Sequence, residues 1–320
     1  MSTSTLEIIK KKVRRLTGTP STSQLSDSDL NEYIDTFYEQ DLPSSLKLWN
    51  LKSNYTFFTT PNEDRYTFPV NTYHSLGKPI YIAGYETFYT QDQTEFYRIY
   101  PKNNFVETAA TGDGATSAFS FTLSNTPVLK RQVTITAVDT SGNPQTAEDD
   151  GDGNLVTPGT STSLGTINYT TGAVSVTFAQ PIANEEKVSA EYVRYTASQP
   201  TALLFFNQYI FLRPVPDKTY RVEVQVYQKP SQLLSANNND PTNTPDINQW
   251  WQLIAFGAAR KVLQDRLDNE ALASIEPFYQ EQMNLVMYRT ATQLANQRVS
   301  TIYTEQIQPN GINNGYFGYP

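Results

Sequence analysis

Cysteine is absent from the 320 residues, and histidine occurs once, at His74. Without thiolates there is no disulfide framework, no Cys nucleophile and no Cys-held zinc or iron–sulfur centre. One imidazole supplies neither a Ser-His-Asp relay nor a His-based metal site, so His74 is expected to be structural. Long hydrophobic runs are also missing. The longest, Ala202-Leu203-Leu204-Phe205-Phe206, is far short of the roughly 20 residues that cross a bilayer, and no membrane partner is expected. Basic residues near the start, Lys10, Lys11, Lys12, Arg14 and Arg15, are followed by no apolar stretch, which is not the pattern of a signal peptide. With 38% apolar residues and a mean hydropathy of −0.50, the chain has less interior per residue than a compact enzyme usually has.

What the chain has is aromatic residues, 21 Tyr and 16 Phe among them, too many for a disordered composition. The length suggests two domains. Charge is unevenly placed. Residues 1–103 carry 12 acids and 11 bases, residues 104–197 carry 10 and 4, and residues 198–320 carry 10 and 9. The middle segment therefore holds most of the net −8, and it is rich in Gly, Thr, Ser, Ala and Val. This marks residues 104–197 as a separate β domain inserted into a host made of residues 1–103 and 198–300, with residues 301–320 beyond it.

The hydrophobic pattern fills in the elements. Leu6, Ile9, Val13 and Leu16 recur at helical spacing until Gly18 and Pro20. The other faces of this helix are basic, which fits a solvated surface or contact with a phosphate backbone or an acidic neighbour. A second helix starts at Ser26, with Asp29 three residues on, and carries Leu30, Tyr33, Ile34 and Phe37 until Pro43 stops it. Short aromatic strands are expected at 55–59, 65–69, 79–85 and 95–100. Period-two alternation is clearest at 118–123, 133–138, 165–169, 173–178 and 188–192, which spells a small antiparallel β-sandwich. A hairpin of 204–212 with 220–227 is expected next, then a polar loop over 230–246. Asp246 is placed to cap a helix with the stripe Ile247, Trp250, Trp251, Ile254, Ala258 and Val262. A last helix over 270–297 carries Ile275, Tyr279, Met283, Val286, Met287 and Leu294, with Pro277 as a kink. The end of the chain, with Tyr316, Phe317 and Tyr319 among Gly, Asn and Pro, is either a frayed tail or an arm that orders on a neighbour, and its aromatics favour the arm.

No constellation for catalysis emerges. Gly112-Asp113-Gly114 lacks the third glycine and the following helix of a phosphate loop, and reads as a turn. In Glu148-Asp149-Asp150-Gly151-Asp152-Gly153-Asn154, Asp150, Asp152 and Asn154 are in register for a calcium loop. The sixth position is Leu155 instead of Gly and the twelfth Ser161 instead of Glu, and a solvated turn explains the residues as well. Carboxylate pairs for glycoside hydrolysis can be drawn almost anywhere among 32 acids. The expectation is a protein that is not an enzyme, needs no cofactor and works by binding and assembly.

The stretch Leu16-Thr17-Gly18-Thr19-Pro20-Ser21 leading into Gln24-Leu25-Ser26-Asp27-Ser28-Asp29-Leu30, then Asp41-Leu42-Pro43, resembles head-to-tail adaptor (connector) proteins of tailed bacteriophages. So do Arg213-Pro214-Val215-Pro216-Asp217, Trp250-Trp251, Ala258-Ala259-Arg260 and Leu267-Asp268. The resemblance covers the host segments. The inserted one is similar to the small immunoglobulin-like sandwiches of phage neck and tail proteins. The implied fold is α+β, a helical bundle with aromatic antiparallel strands interrupted by an inserted antiparallel β-sandwich. The implied role is structural: a ring of about twelve copies in the virion neck, assembled in the host cytoplasm. The ring would join the portal protein to a downstream tail or nozzle protein and pass double-stranded DNA through its lumen without reading sequence. Candidate partner contacts are Lys10, Lys11, Lys12, Arg14, Arg15, Trp250, Trp251, Tyr316, Phe317 and Tyr319. Two other classes fit the composition: a carbohydrate-binding or polysaccharide-degrading tail protein that uses the aromatic strands as a sugar platform, and a monomeric bacterial protein carrying an immunoglobulin-like module.

Overall fold

The structure, a computed structural model, describes residues 5–46, 48–230 and 242–297. Among these the architecture is mixed α+β and dominated by β-sheet. The chain forms two compact units. One comprises Met1–Asn54, Val70–Gly77 and Gln225–Pro320, and the other Tyr55–Pro69 and Lys78–Val224. These limits differ from the composition boundaries at 103/104 and 197/198.

The first unit opens with helix α1 (Leu6–Leu16), which buries Leu6, Ile9 and Val13 on the face the spacing predicts. It ends where the Thr17 N–H donates to the Val13 carbonyl and Gly18 takes φ +63°, a conformation open to glycine. Helix α2 (Asp27–Thr36) starts at Ser26, whose hydroxyl accepts the Asp29 N–H at 3.1 Å. The expected stop at Pro43 is corrected. The helical path widens into a π turn (Phe37–Asp41), where the Leu42 N–H donates to the Phe37 carbonyl, and continues as α3 (Leu42–Ser45). Pro43 falls in the first turn of α3, where a missing N–H costs nothing.

The strands and the one further helix of the middle of the chain follow: β1 (Lys52–Phe58), β2 (Arg65–Thr67), β3 (Tyr73–Ile82), β4 (Tyr85–Glu86), β5 (Phe88–Thr90), α4 (Gln93–Ile99), β6 (Asn103–Thr111), β7 (Ala118–Thr122), β8 (Val128–Val138), β9 (Pro144–Asp149), β10 (Asn154–Val156), β11 (Ser163–Ile167), β12 (Ala173–Thr177), β13 (Lys187–Arg194), β14 (Ala202–Phe206), β15 (Tyr209–Arg213) and β16 (Arg221–Gln228). The chain passes between the units within β1, between Pro69 and Val70, within β3 and within β16; β1, β3 and β16 with β4 form a sheet of order β1-β16-β3-β4.

The first unit closes with α5 (Trp251–Asp265) and α6 (Asn269–Gln297). Helix α5 is central: Leu253, Ile254, Ala255, Ala258, Ala259, Val262 and Leu263 are buried against α1, α2 and α6. Gly257 lets the Phe37 ring lie on the α5 backbone, since a Cβ there would sit 2.2 Å from the ring. The expected cap at Asp246 is corrected. A single 3₁₀ turn (Asn248–Trp250) intervenes, and neither it nor α5 is capped by a side chain. The Asp246 N–H instead donates to the hydroxyl of Tyr38, at 2.8 Å. In α6 Ile275, Tyr279 and Val286 are buried and Met283 packs beside them, but Met287, expected on the same stripe, faces solvent. The Leu294 side chain and most of the expected 230–246 loop lie outside the described residues.

In the second unit, strands β6 to β13 form one sheet of order β6-β13-β8-β9-β10-β11-β12-β7. Its edge strands β6 and β7 approach each other, so the sheet nearly closes into a barrel. This corrects the expected two-sheet sandwich, and the reason is local. Strands β9 and β10 flank the acidic turn; they read as turn because β9 is polar and β10 has only three residues. They pair with each other and with β8 and β11, and so join what would have been two sheets. A single interior results, filled by Val133, Ile135, Ala147, Leu155, Ile167, Val174, Val176, Val188, Ala190 and Tyr192.

Two further expectations are corrected here. Residues 95–99, expected as strand, are helical: Asp92 accepts the N–H groups of Thr94 and Glu95, starting α4, and Phe96 is buried one turn on. Residues 204–212 are not one strand. The chain reverses at Asn207-Gln208, both with positive φ (48° and 65°), as a two-residue hairpin requires. So β14 pairs with β15 in a sheet of order β2-β15-β14-β5, whereas β16 belongs to another sheet. The strand expected at 79–85 begins earlier, at Tyr73.

Candidate functional site

Two places collect charge, one in each unit. On the helical unit, the basic residues of α1 separate into different environments. Arg14 is consumed by its own unit. Its guanidinium donates to the carbonyls of Leu25 at 2.9 Å and Ser21 at 3.2 Å, and pairs with Asp27 at 2.7 Å. It shapes the loop between α1 and α2 and is not available as a free contact. The Lys12 ammonium lies 5.1 Å from the centre of the Phe256 ring. Lys11 and Arg15 are exposed and Lys10 is half-buried. With Glu7, Arg14 and Asp27 these three line an open groove of about 870 Å³.

Trp250 and Trp251 are half-buried against the helical core, and the Arg289 guanidinium sits 5.5 Å from the Trp250 ring centre. Tyr316, Phe317 and Tyr319 lie outside the described residues. His74 is exposed on β3.

In the β unit, a cleft of about 240 Å³ opens among Arg65, Tyr97, Lys102, Arg131, Tyr209 and Arg213, with Asp64 and Lys130 also on its lining. Sequence reasoning missed it, because its residues come from β2, α4, β8 and β15 and only folding brings them together. Asp64 is buried and pairs with Arg213 at 2.6 Å. Glu63 takes Lys130 at 2.8 Å and Arg131 at 3.0 Å. The Arg65 guanidinium stacks on the Tyr209 ring, 3.6 Å from its centre. Lys102 donates to Gln132 Oε1 at 3.1 Å and lies 4.8 Å from the centre of the Tyr97 ring.

The acidic turn supports this cleft instead of standing as a separate site. Asp149 accepts the Arg131 N–H at 2.5 Å, the Gly151 N–H at 2.8 Å and the Tyr169 hydroxyl at 2.6 Å. Burial raises the Asp149 carboxyl above its ordinary value despite these donors, and burial and Asp149 raise the Tyr169 phenol. Asp150 is spent on its own turn, accepting the N–H groups of Asp152 and Asn154. Among the described residues no cluster of three or more His, Asp or Glu is placed to hold a metal ion. Arg131 has φ +61°, an uncommon conformation for a side chain of its size, and turns at the start of β8 beside Lys130. Burial opposes its charge, but the hydrogen bond and charge of Glu63 outweigh that and keep the guanidinium more firmly protonated. Gly151, at φ +91°, fits directly over it: a Cβ there would be 2.5 Å from the Arg131 side chain.

Neither a protein-family model nor a curated protein matches the chain. Among solved structures, VP17, a capsid protein of bacteriophage P23-77, is similar over 56% of this chain and 86% of that chain, at 11% identity and a TM-score of 0.22. A likeness at that level carries no argument about fold or function.

Proposed function

We propose that this chain is a structural subunit of a phage particle, acting without catalysis in the virion neck. The observation that carries the reading is α6. Phe278 (56% exposed), Leu285 (51%), Met287 (52%) and Tyr288 (76%) stand in solvent along one helix of a chain otherwise poor in apolar residues. Exposed large side chains gathered on one element mark an interaction surface. Copies of the chain are the partner that the adaptor resemblance suggests, in a ring built from head-to-tail contacts.

In this reading the ring holds about twelve copies, meets the portal on one side and a tail or nozzle protein on the other, and lets double-stranded DNA pass without sequence-specific contacts. The groove beside Lys10, Lys11 and Arg15 offers a cationic surface for an acidic neighbouring subunit or portal. The test is native mass spectrometry and negative-stain imaging of the full chain, alone and with its portal. Rings, formed alone or on the portal, are expected, and Leu285→Glu with Tyr288→Glu should abolish them. A chain that stays monomeric in the presence of the portal overturns the reading.

A further inference from the structure

The cleft of the β unit has a charge imbalance that its own ion pairs do not remove. Five cations, Arg65, Lys102, Lys130, Arg131 and Arg213, line it against one carboxylate, Asp64, in a chain whose net charge is −8. Arg213 is matched by Asp64, and Lys130 and Arg131 share the single carboxylate of Glu63. Among the described residues, Arg65 and Lys102 have no carboxylate partner. Arg65 is held over the Tyr209 ring by a cation–π contact that uses none of its N–H donors, and the direct contacts of Lys102 are a neutral amide oxygen and an aromatic face. Burial, and then the positive charge of Arg213, draw the Lys102 ammonium below its ordinary value despite the opposing charge of Asp64; an anion beside Lys102 would act in the same sense as Asp64.

The cleft is also fixed in shape. The Leu212 N–H donates to the Asp64 carbonyl at 2.8 Å, and β15 pairs with β2 through Arg65↔Phe211. Tyr195 donates to Asn62 Oδ1 at 2.9 Å, while Gln132 Nε2 donates to the Arg131 carbonyl at 2.6 Å. Cations that are held in place lose little entropy when a ligand arrives.

We propose that this cleft is a binding site for a small oxyanion, a phosphate group or a carboxylate, seated between Arg65 and Lys102 with Arg213 behind. Its volume, about 240 Å³, suits a compact anionic group more than a drug-sized molecule. Guanidinium and ammonium donors give charge-assisted hydrogen bonds to either class of oxygen, and Tyr97 and Tyr209 give flat walls to whatever carries the group. The site is independent of the assembly reading, since no residue of α1, α5 or α6 takes part.

The test titrates the full-length protein with inorganic phosphate and, separately, with acetate, each against chloride at matched ionic strength, by calorimetry and by ¹⁵N NMR of the Gln132 side-chain amide. Saturable binding of either anion, with the Gln132 signal shifting in step, is expected, and the anion that saturates assigns the class. Arg65→Gln and Lys102→Gln should each weaken binding about tenfold. If either variant lost its native circular dichroism, the other would carry the comparison, and Lys187→Gln, exposed on β13 and away from the cleft lining, should bind like the unaltered chain. Absence of saturable binding by both anions, or equal binding by the folded cleft variants, overturns the proposal.

Discussion

The helical unit and the β unit both hold ion pairs, but they use them differently. In the helical unit two pairs sit on the outside of an apolar interior, Lys261 with Asp41 at 2.8 Å and Arg260 with Glu276 at 3.0 Å, each side chain a quarter or more open to water, while a third joins the largely buried Arg14 to an exposed Asp27. The contacts that locate its helices are apolar, such as Phe37 on Gly257. In the β unit Asp64 and Arg213, at 7% and 11% exposure, are inside. The lesson is that a charge in one of these outer pairs can be changed at little cost, whereas a charge of the Asp64–Arg213 pair hardly can. An exposed pair exchanges water for a partner at little net gain, whereas a buried charge left without its partner has nothing to replace it.

The largest effect that tests this contrast is expected from Asp64→Ala. It leaves Arg213 buried and unpaired and should cost about 3–5 kcal/mol. Lys261→Ala, breaking the counterpart on the helical unit, should cost less than about 1 kcal/mol. Urea unfolding, with hydrogen exchange of the β15 amides to assign the loss to the β unit, checks both; equal costs would break the contrast. Next in size is Gly257→Ala, which should cost about 1–3 kcal/mol by forcing Phe37 off α5. Hydrogen exchange should place that loss in α2 and α5, with β15 unaffected.

The smallest effect concerns pH. Asp113 is exposed, and its carboxylate is pulled down to about 2 by the N–H of Ala115, then by the hydroxyl and the N–H of Thr116. A carboxylate whose folded value lies below its unfolded one stabilises the fold above the unfolded value and loses that contribution as pH falls toward the folded one. Stability of the β unit should therefore decline between about pH 4 and pH 2. Asp113→Asn should flatten the decline slightly, and a ¹³C titration of the Asp113 carboxyl should show a midpoint near 2.

How much was legible depended on whether the signal was local. Helix α1 and the start of α2 were, because Leu6, Ile9 and Val13 fall on one face and Ser26 caps by reaching three residues along the chain. The alternating strands β7, β8, β11, β12 and β13 were legible for the same reason. Helix α4 was misread because Phe96, Tyr97 and Tyr100 suit a strand, while the deciding residue, Asp92, lay outside the aromatic run. The hairpin at Asn207-Gln208 was hidden by an apolar stretch that runs up to it on both sides. Of the candidate contacts, only the basic character of α1 was visible; that Arg14 faces inward depends on carbonyls of a loop whose path no periodicity records. The cleft was out of reach, since Arg65, Lys102, Arg131 and Arg213 are far apart in the chain and each alone looks like an ordinary surface charge.

The hairpin of β9 and β10 has one more consequence, for the motion of the β unit. Strand β13 is stitched to β6 along its whole length, but β9 and β10 meet in only two register pairs, Asp149↔Leu155 and Glu148↔Val156. Local fluctuations start where few backbone bonds must break together. Among the paired strands of the sheet the seam between β9 and β10 should thus be the weakest, and because Gly151 rests on Arg131, the floor of the cationic cleft should loosen each time that seam parts.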